Sequence, residues 1–78
     1  MLFKFLGEVM RGTVKWFSEA KGYGFILDEN KKEYFVHWKS ILTLENYRKF
    51  LQEGEAVEFD ISSTEKGDQA VNVVRLNI

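Results

Sequence analysis

Five short runs of β-branched and aromatic residues, each followed by residues that favour turns, recur along the chain at a spacing that suits strands and leaves little room for helices. They span Gly12 to Phe17, Tyr23 to Leu27, Glu33 to Trp38, Glu55 to Ile61 and Ala70 to Leu76. Turns are expected at Ser18 to Lys21, Asp28 to Lys32 and Ser62 to Asp68. Proline is absent, so every turn depends on Gly, Asn, Asp and Ser chemistry. With 78 residues the chain has room for one small domain, which buries only about 60% of its unfolded surface.

The one long connection, Lys39 to Gly54, breaks the β pattern. Leu44, Tyr47 and Leu51 recur at helical spacing, Thr43 is placed to cap the start, Glu45 and Lys49 form an i,i+4 pair, and Gly54 marks the end. About two turns of helix are expected between the third and fourth strands. Five short strands with a longer third-to-fourth link predict an all-β, five-stranded antiparallel barrel of the OB type with Greek-key connections, which closes its own edges by curling.

Composition removes several classes of function. Cysteine is absent and His37 is the only histidine, so disulfides, thiolate metal sites and the usual zinc arrangements are excluded. The expected compartment is the reducing cytoplasm. The longest apolar stretches fall far short of the ~20 residues of a membrane span. His37 alone does not make an enzyme, and no catalytic residue, metal, cofactor or small-molecule substrate is expected.

The net charge of −1 argues against a polyanion partner, but its distribution reverses that reading. Residues 11–49 carry eight cationic against five anionic side chains, and residues 50–78 carry two against six. A chain polarised in this way can turn a positive face toward nucleic acid.

Alternation places that face. In the second strand Gly22, Gly24 and Ile26 share one side and Tyr23, Phe25 and Leu27 the other. Ile26 belongs in the core, so Tyr23 and Phe25 point outward. In the third strand Val36 is the core member, and Phe35 and His37 join the outer set. Trp16 and Phe17 are adjacent, so a bulge at the end of the first strand is expected to turn both outward. Lys15, Lys21 and Lys39 flank these rings. Stacked bases gain about 1–3 kcal/mol each on aromatic side chains while lysines hold the phosphates, which is the arrangement single-stranded nucleic acid requires.

The runs Lys15-Trp16-Phe17, Lys21-Gly22-Tyr23-Gly24-Phe25-Ile26 and Tyr34-Phe35-Val36-His37-Trp38 resemble the cold-shock domain family, with both ribonucleoprotein-type motifs in order. The likeness extends from about Met10 to Val74 and includes Glu53-Gly54, Gly67, Gln69, Ala70 and Asn72. It implies a module that binds single-stranded DNA and RNA with little sequence demand and acts as an RNA chaperone or transcription antiterminator. The ligand face it implies comprises Lys15, Trp16, Phe17, Lys21, Tyr23, Phe25, Phe35, His37 and Trp38, extended here by Lys39.

Four departures stand out. Tyr34 replaces a smaller aliphatic core residue, so its hydroxyl needs a barrel end or a buried partner. Trp38 stands where Phe is more common. The Ser40 to Gln52 link is longer than usual, which leaves Tyr47, the preferred choice, and Phe50 as candidates for the loop aromatic over the site. Asp68 takes a place often held by proline, and a carboxylate facing the groove would repel phosphate.

Residues 1–9 are expected to be an extension ahead of a domain at 10–78. Lys31 and Lys32, at a hairpin tip, are expected to be solvated charges. A monomer is expected. The alternative reading is a protein-interaction module, or a dimer that exchanges strands through the Lys39 to Gly54 link, using the same aromatic face.

Overall fold

The computed structural model describes residues 10–42 and 49–76. Five strands, β1 (Met10–Ser18), β2 (Tyr23–Asp28), β3 (Glu33–His37), β4 (Ala56–Thr64) and β5 (Gly67–Arg75), close into a barrel in the order β1-β2-β3-β5-β4. This is the expected OB-type barrel. Every seam is antiparallel except β3–β5, which is parallel and rests on two residue pairs, Phe35 with Gln69 and Val36 with Ala70.

The interior is filled from all five strands: Val14, Ile26, Tyr34, Val36, Val57, Phe59, Ala70 and Val73 are buried, with Ile41 and Leu51 from the β3–β4 link. In β2 and β3 the period is two, as a half-buried strand requires, with Gly24, Ile26, Tyr34 and Val36 buried and Tyr23, Phe25, Phe35 and His37 half exposed. Tyr34 reaches the barrel end and is only 3% exposed; its hydroxyl donates to Asp28 Oδ2 at 3.1 Å, which supplies the partner its burial demands.

Three local expectations are corrected. The Ser62 to Asp68 turn is much tighter: β4 and β5 pair through Thr64 and Gly67, leaving Glu65 and Lys66 as the turn. Polar side chains make that extension possible, because Ser63 Oγ donates to Asp68 Oδ1 and Thr64 Oγ1 donates to the Gly67 carbonyl. The third strand stops at His37, and Trp38–Ser40 form a single 3₁₀ turn capped by His37 Nδ1, which accepts from the Lys39 N–H at 3.1 Å. The third correction concerns Phe17 and is taken up below.

That 3₁₀ turn is the helical element described between β3 and β4. Thr43 to Arg48, which carry most of the helical spacing and include Tyr47, lie outside the described residues. Leu51 is buried and anchors the return to β4.

A second turn depends on Asp28. Its Oδ1 accepts from the N–H groups of Asn30 (2.7 Å) and Lys32 (3.0 Å), closing the β2–β3 hairpin around Lys31, whose φ is 70°. At the other end of the barrel Arg75 and Glu55 form an ion pair at 3.5 Å with both side chains about nine-tenths buried.

Candidate nucleic-acid interface

β1, β2 and β3 lie side by side, so their outward residues form one surface. The register between β1 and β2 slips by one residue between Val14 and Trp16, a bulge at Lys15. Before the slip Val14 faces Ile26 in the core; after it Trp16 lies across from Phe25 and Phe17 across from Gly24. Trp16 therefore turns outward and is 38% exposed, whereas Phe17 turns inward and packs against the edge of the core. The expectation that the bulge would turn both rings outward is corrected for Phe17, because a one-residue slip cannot put two adjacent side chains on one face of a regular ladder.

Four of the remaining rings form one connected group. Trp16 lies 5.9 Å from Tyr23 and 5.4 Å from Phe25, centroid to centroid; Tyr23 lies 5.5 Å from Phe35, and Phe25 lies 5.8 Å from Phe35. The interplanar angles run from 34° to 77°, so the rings meet tilted or edge-on and none lies flat on another, and their residues stay partly exposed. His37 is opposite Tyr23 in register and 5.8 Å from Trp38, tilted 32°.

Trp38 reaches the same surface from the 3₁₀ turn. Gly22 makes this possible: its φ is +82°, and a Cβ there would stand 2.7 Å from Trp38 Cδ1. The glycine is thus required both by backbone conformation and by the ring above it. Trp38, Gly22 and Lys21 line a cleft of about 320 Å³ together with Glu19, Ala20, Lys49 and Phe50. Phe50, one of the two candidates for the loop aromatic, is thereby placed near Trp38; Tyr47 lies outside the described residues.

The cations are distributed along the rim. Lys39 Nζ lies 5.8 Å from the centroid of the Trp38 ring, Lys21 is exposed at the cleft, and Lys15 donates to Glu33 Oε2 beside Phe25 and Phe35. Two residues omitted from the sequence-based face belong to its outline. Glu33 alternates with Phe35 and His37, and Gln69 is opposite Phe35 across the parallel seam. The alternation of the third strand held the signal for Glu33; Gln69 depended on the register between β3 and β5, which no local pattern displays.

The titratable groups with altered affinity for protons lie beside this surface. The Lys32 N–H holds the Asp28 carboxyl below its usual range, and the Lys32 ammonium does the same for Asp68. Asp68 in turn raises Lys32, and burial pushes the Tyr34 phenol up. Among the described residues no group of three His, Asp or Glu side chains is placed to hold a metal ion. No helix among them is long and apolar enough to cross a membrane.

The chain has known counterparts. Residues 10–76 match the model of the "Cold-shock" DNA-binding domain. The chain belongs to the cold-shock domain family. It is 47% identical over 66 residues to the major cold shock protein of Streptococcus pyogenes, spanning 85% of this chain and 96% of that protein. Identity is 50% over 64 residues to a cold shock-like protein of Thermotoga maritima, 82% and 94% of the two chains, and 48% over 66 residues to cold shock protein CspA of Staphylococcus aureus, 85% and 97%. Among solved structures, the Drosophila Unr fragment CSD456 superposes with a TM-score of 0.72 at 26% identity over 96% of this chain, which spans 30% of that one. The family is one of nucleic-acid binders, and the chain is a cold-shock DNA-binding domain protein that carries an exposed aromatic cluster, not an enzyme.

Proposed function

We propose that the protein binds single-stranded DNA and RNA by stacking about 5–7 bases along the outer side of β1–β3, and acts as an RNA chaperone or transcription antiterminator in the cytoplasm. The observation that carries this reading is the connected group of Trp16, Tyr23, Phe25 and Phe35 rings, with the His37–Trp38 pair beside it through the Tyr23–His37 register, all partly exposed and rimmed by Lys15, Lys21 and Lys39. An apolar surface of this extent on a small soluble barrel marks a binding face. Its ring spacing offers bases flat contacts without asking for a particular base, so weak sequence preference follows. Paired bases are not free to stack in this way, so duplex is a poor ligand. Trapping unpaired strands shifts marginal hairpins toward the open form without hydrolysing anything, which is the chaperone activity. The working unit is a monomer, since the face is needed for the ligand.

Titration with a short oligothymidine, followed by tryptophan fluorescence at two salt concentrations with a matched duplex as control, tests the reading. Strong quenching is expected from Trp16 and Trp38, weaker at high salt and nearly absent with duplex. Absence of quenching at micromolar concentrations, or quenching insensitive to salt, would overturn it in favour of a protein-interaction face.

A further inference from the structure

Beside the aromatic face, the β2–β3 hairpin is tied to the β4–β5 hairpin by a polar cluster that the stacking reading does not use. Lys32 Nζ donates to Asp68 Oδ2 at 3.0 Å, and the other Asp68 oxygen accepts from Ser63 Oγ at 3.0 Å. Lys32 Nζ also lies 5.2 Å from the centroid of the Tyr34 ring, whose hydroxyl donates to Asp28. Asp28 in turn holds the Lys32 N–H. The backbone of Lys32 is thus fixed by Asp28, and its ammonium lies over a core tyrosine ring and bridges to β5.

The position of this bridge gives it a role. The β3–β5 seam has only two residue pairs, and the first of them, Phe35 with Gln69, sets one edge of the aromatic face. Asp68 immediately precedes Gln69, and Lys32 is three residues ahead of Phe35. An isolated exposed ion pair contributes little, but one whose two members are each held by further partners constrains geometry.

We propose that Lys32 is a positioning residue for the nucleic-acid interface: paired with Asp68, it seats the start of β5 against β3 and so holds Gln69 beside Phe35 as the rim of the stacking face. The proposal rests on the nucleic-acid-binding reading above. It replaces the expectation that Lys32 is a solvated charge, and it bears on the condition that Asp68 would repel phosphate if it faced the groove, because its carboxylate is paired with Lys32. Each cancels the charge of the other, and what reaches the ligand is the placement of Gln69.

The test uses the full chain with Lys32→Met, Asp68→Asn and the double variant. Affinity for a hexamer of oligothymidine is measured over a range of salt, and the amide resonances of Phe35 and Gln69 are followed in the ligand-free protein. Each single variant is expected to weaken binding about threefold, the double variant no more than the weaker single, and the salt slope to stay that of the parent. The Gln69 resonance is expected to move in all three. Tighter binding by Asp68→Asn would show repulsion instead of positioning, and a slope flattened by about 0.7 in Lys32→Met alone would make Lys32 a phosphate contact; either overturns the proposal. If the parent protein binds no oligothymidine, the nucleic-acid reading fails, while the ligand-free Gln69 resonance still reports whether the pair seats β5. An unmoved resonance would overturn the proposal by itself.

Discussion

The outer side of β2 and β3 and the outer side of β4 and β5 belong to one barrel and cover the same core, yet they are built on opposite terms. On β2 and β3 the outward residues are Tyr23, Phe25, Phe35 and His37, rings that contact one another and leave area facing solvent. On β4 and β5 Ile61 and Val74 stay exposed, but polar side chains are paired within the protein: Ser63 with Asp68, Thr64 with the Gly67 carbonyl, and Asn72, which donates to Asp60 at 3.0 Å. The first side retains unused stacking surface, and the second has its polar groups paired within the protein. The difference teaches that the barrel is closed by its interior and by its polar hairpins, leaving the aromatic side free for a ligand.

Three substitutions sharpen or break that contrast, in decreasing order of effect. Phe59→Ala removes a ring that is 1% exposed inside the barrel and packed 5.2 Å from Tyr34. It should cost about 3–5 kcal/mol of stability in urea denaturation. A loss under about 1 kcal/mol would mean that the core is not what closes the barrel. Phe35→Ala should instead reduce affinity for oligothymidine by about 1–3 kcal/mol while the urea midpoint changes little. The contrast breaks if this variant loses folding and binding together.

Tyr34→Phe should be the mildest, costing about 1 kcal/mol of stability through the lost bond to Asp28 and leaving affinity for the strand unaltered. Its signature lies in pH. Tyr34 titrates above its usual 10.0 in the folded protein, so its contribution is intact below that value and is lost as pH rises through the folded pKa. Removing the hydroxyl should flatten that alkaline decline. Asp28 and Asp68 titrate below 3.8 in the folded state, so their contribution is present above that value and is lost as pH falls; the variant keeps the Asp68 part and loses only the share of the Asp28 part that the Tyr34 hydroxyl supplies. An alkaline limb unchanged in Tyr34→Phe would place the responsible group elsewhere.

The barrel and most of its exposed aromatic face were legible in the sequence, because period-two alternation in the second and third strands separates Ile26 and Val36 from Tyr23, Phe25, Phe35 and His37. What escaped depends on partners distant in sequence. Phe17 was misplaced because a bulge can be anticipated from two adjacent aromatics, but which of them it turns inward depends on the register with Gly24. Trp38 left its strand because His37 caps the turn that follows, a choice between two local hydrogen-bonding options that composition does not separate. The polar β4–β5 hairpin looked like a long turn because Ser62, Ser63 and Thr64 are poor strand formers until cross-strand partners engage them. Lys32 looked like a solvated charge and Asp68 like a carboxylate that would repel phosphate if it faced the groove, since nothing near either one names the other.

The parallel seam has a further consequence for how the molecule assembles. β1, β2 and β3 form successive hairpins, and β4 and β5 form another, so each group can organise through contacts between near neighbours in the chain. Joining β3 to β5 brings together residues more than thirty positions apart, and such a joint carries a loop-closure entropy that the local hairpins do not. The Phe35–Gln69 rim exists only after that joint has formed. A strand of nucleic acid laid across it would therefore favour the fully closed chain over partly assembled forms, and binding would hold the barrel shut by mass action.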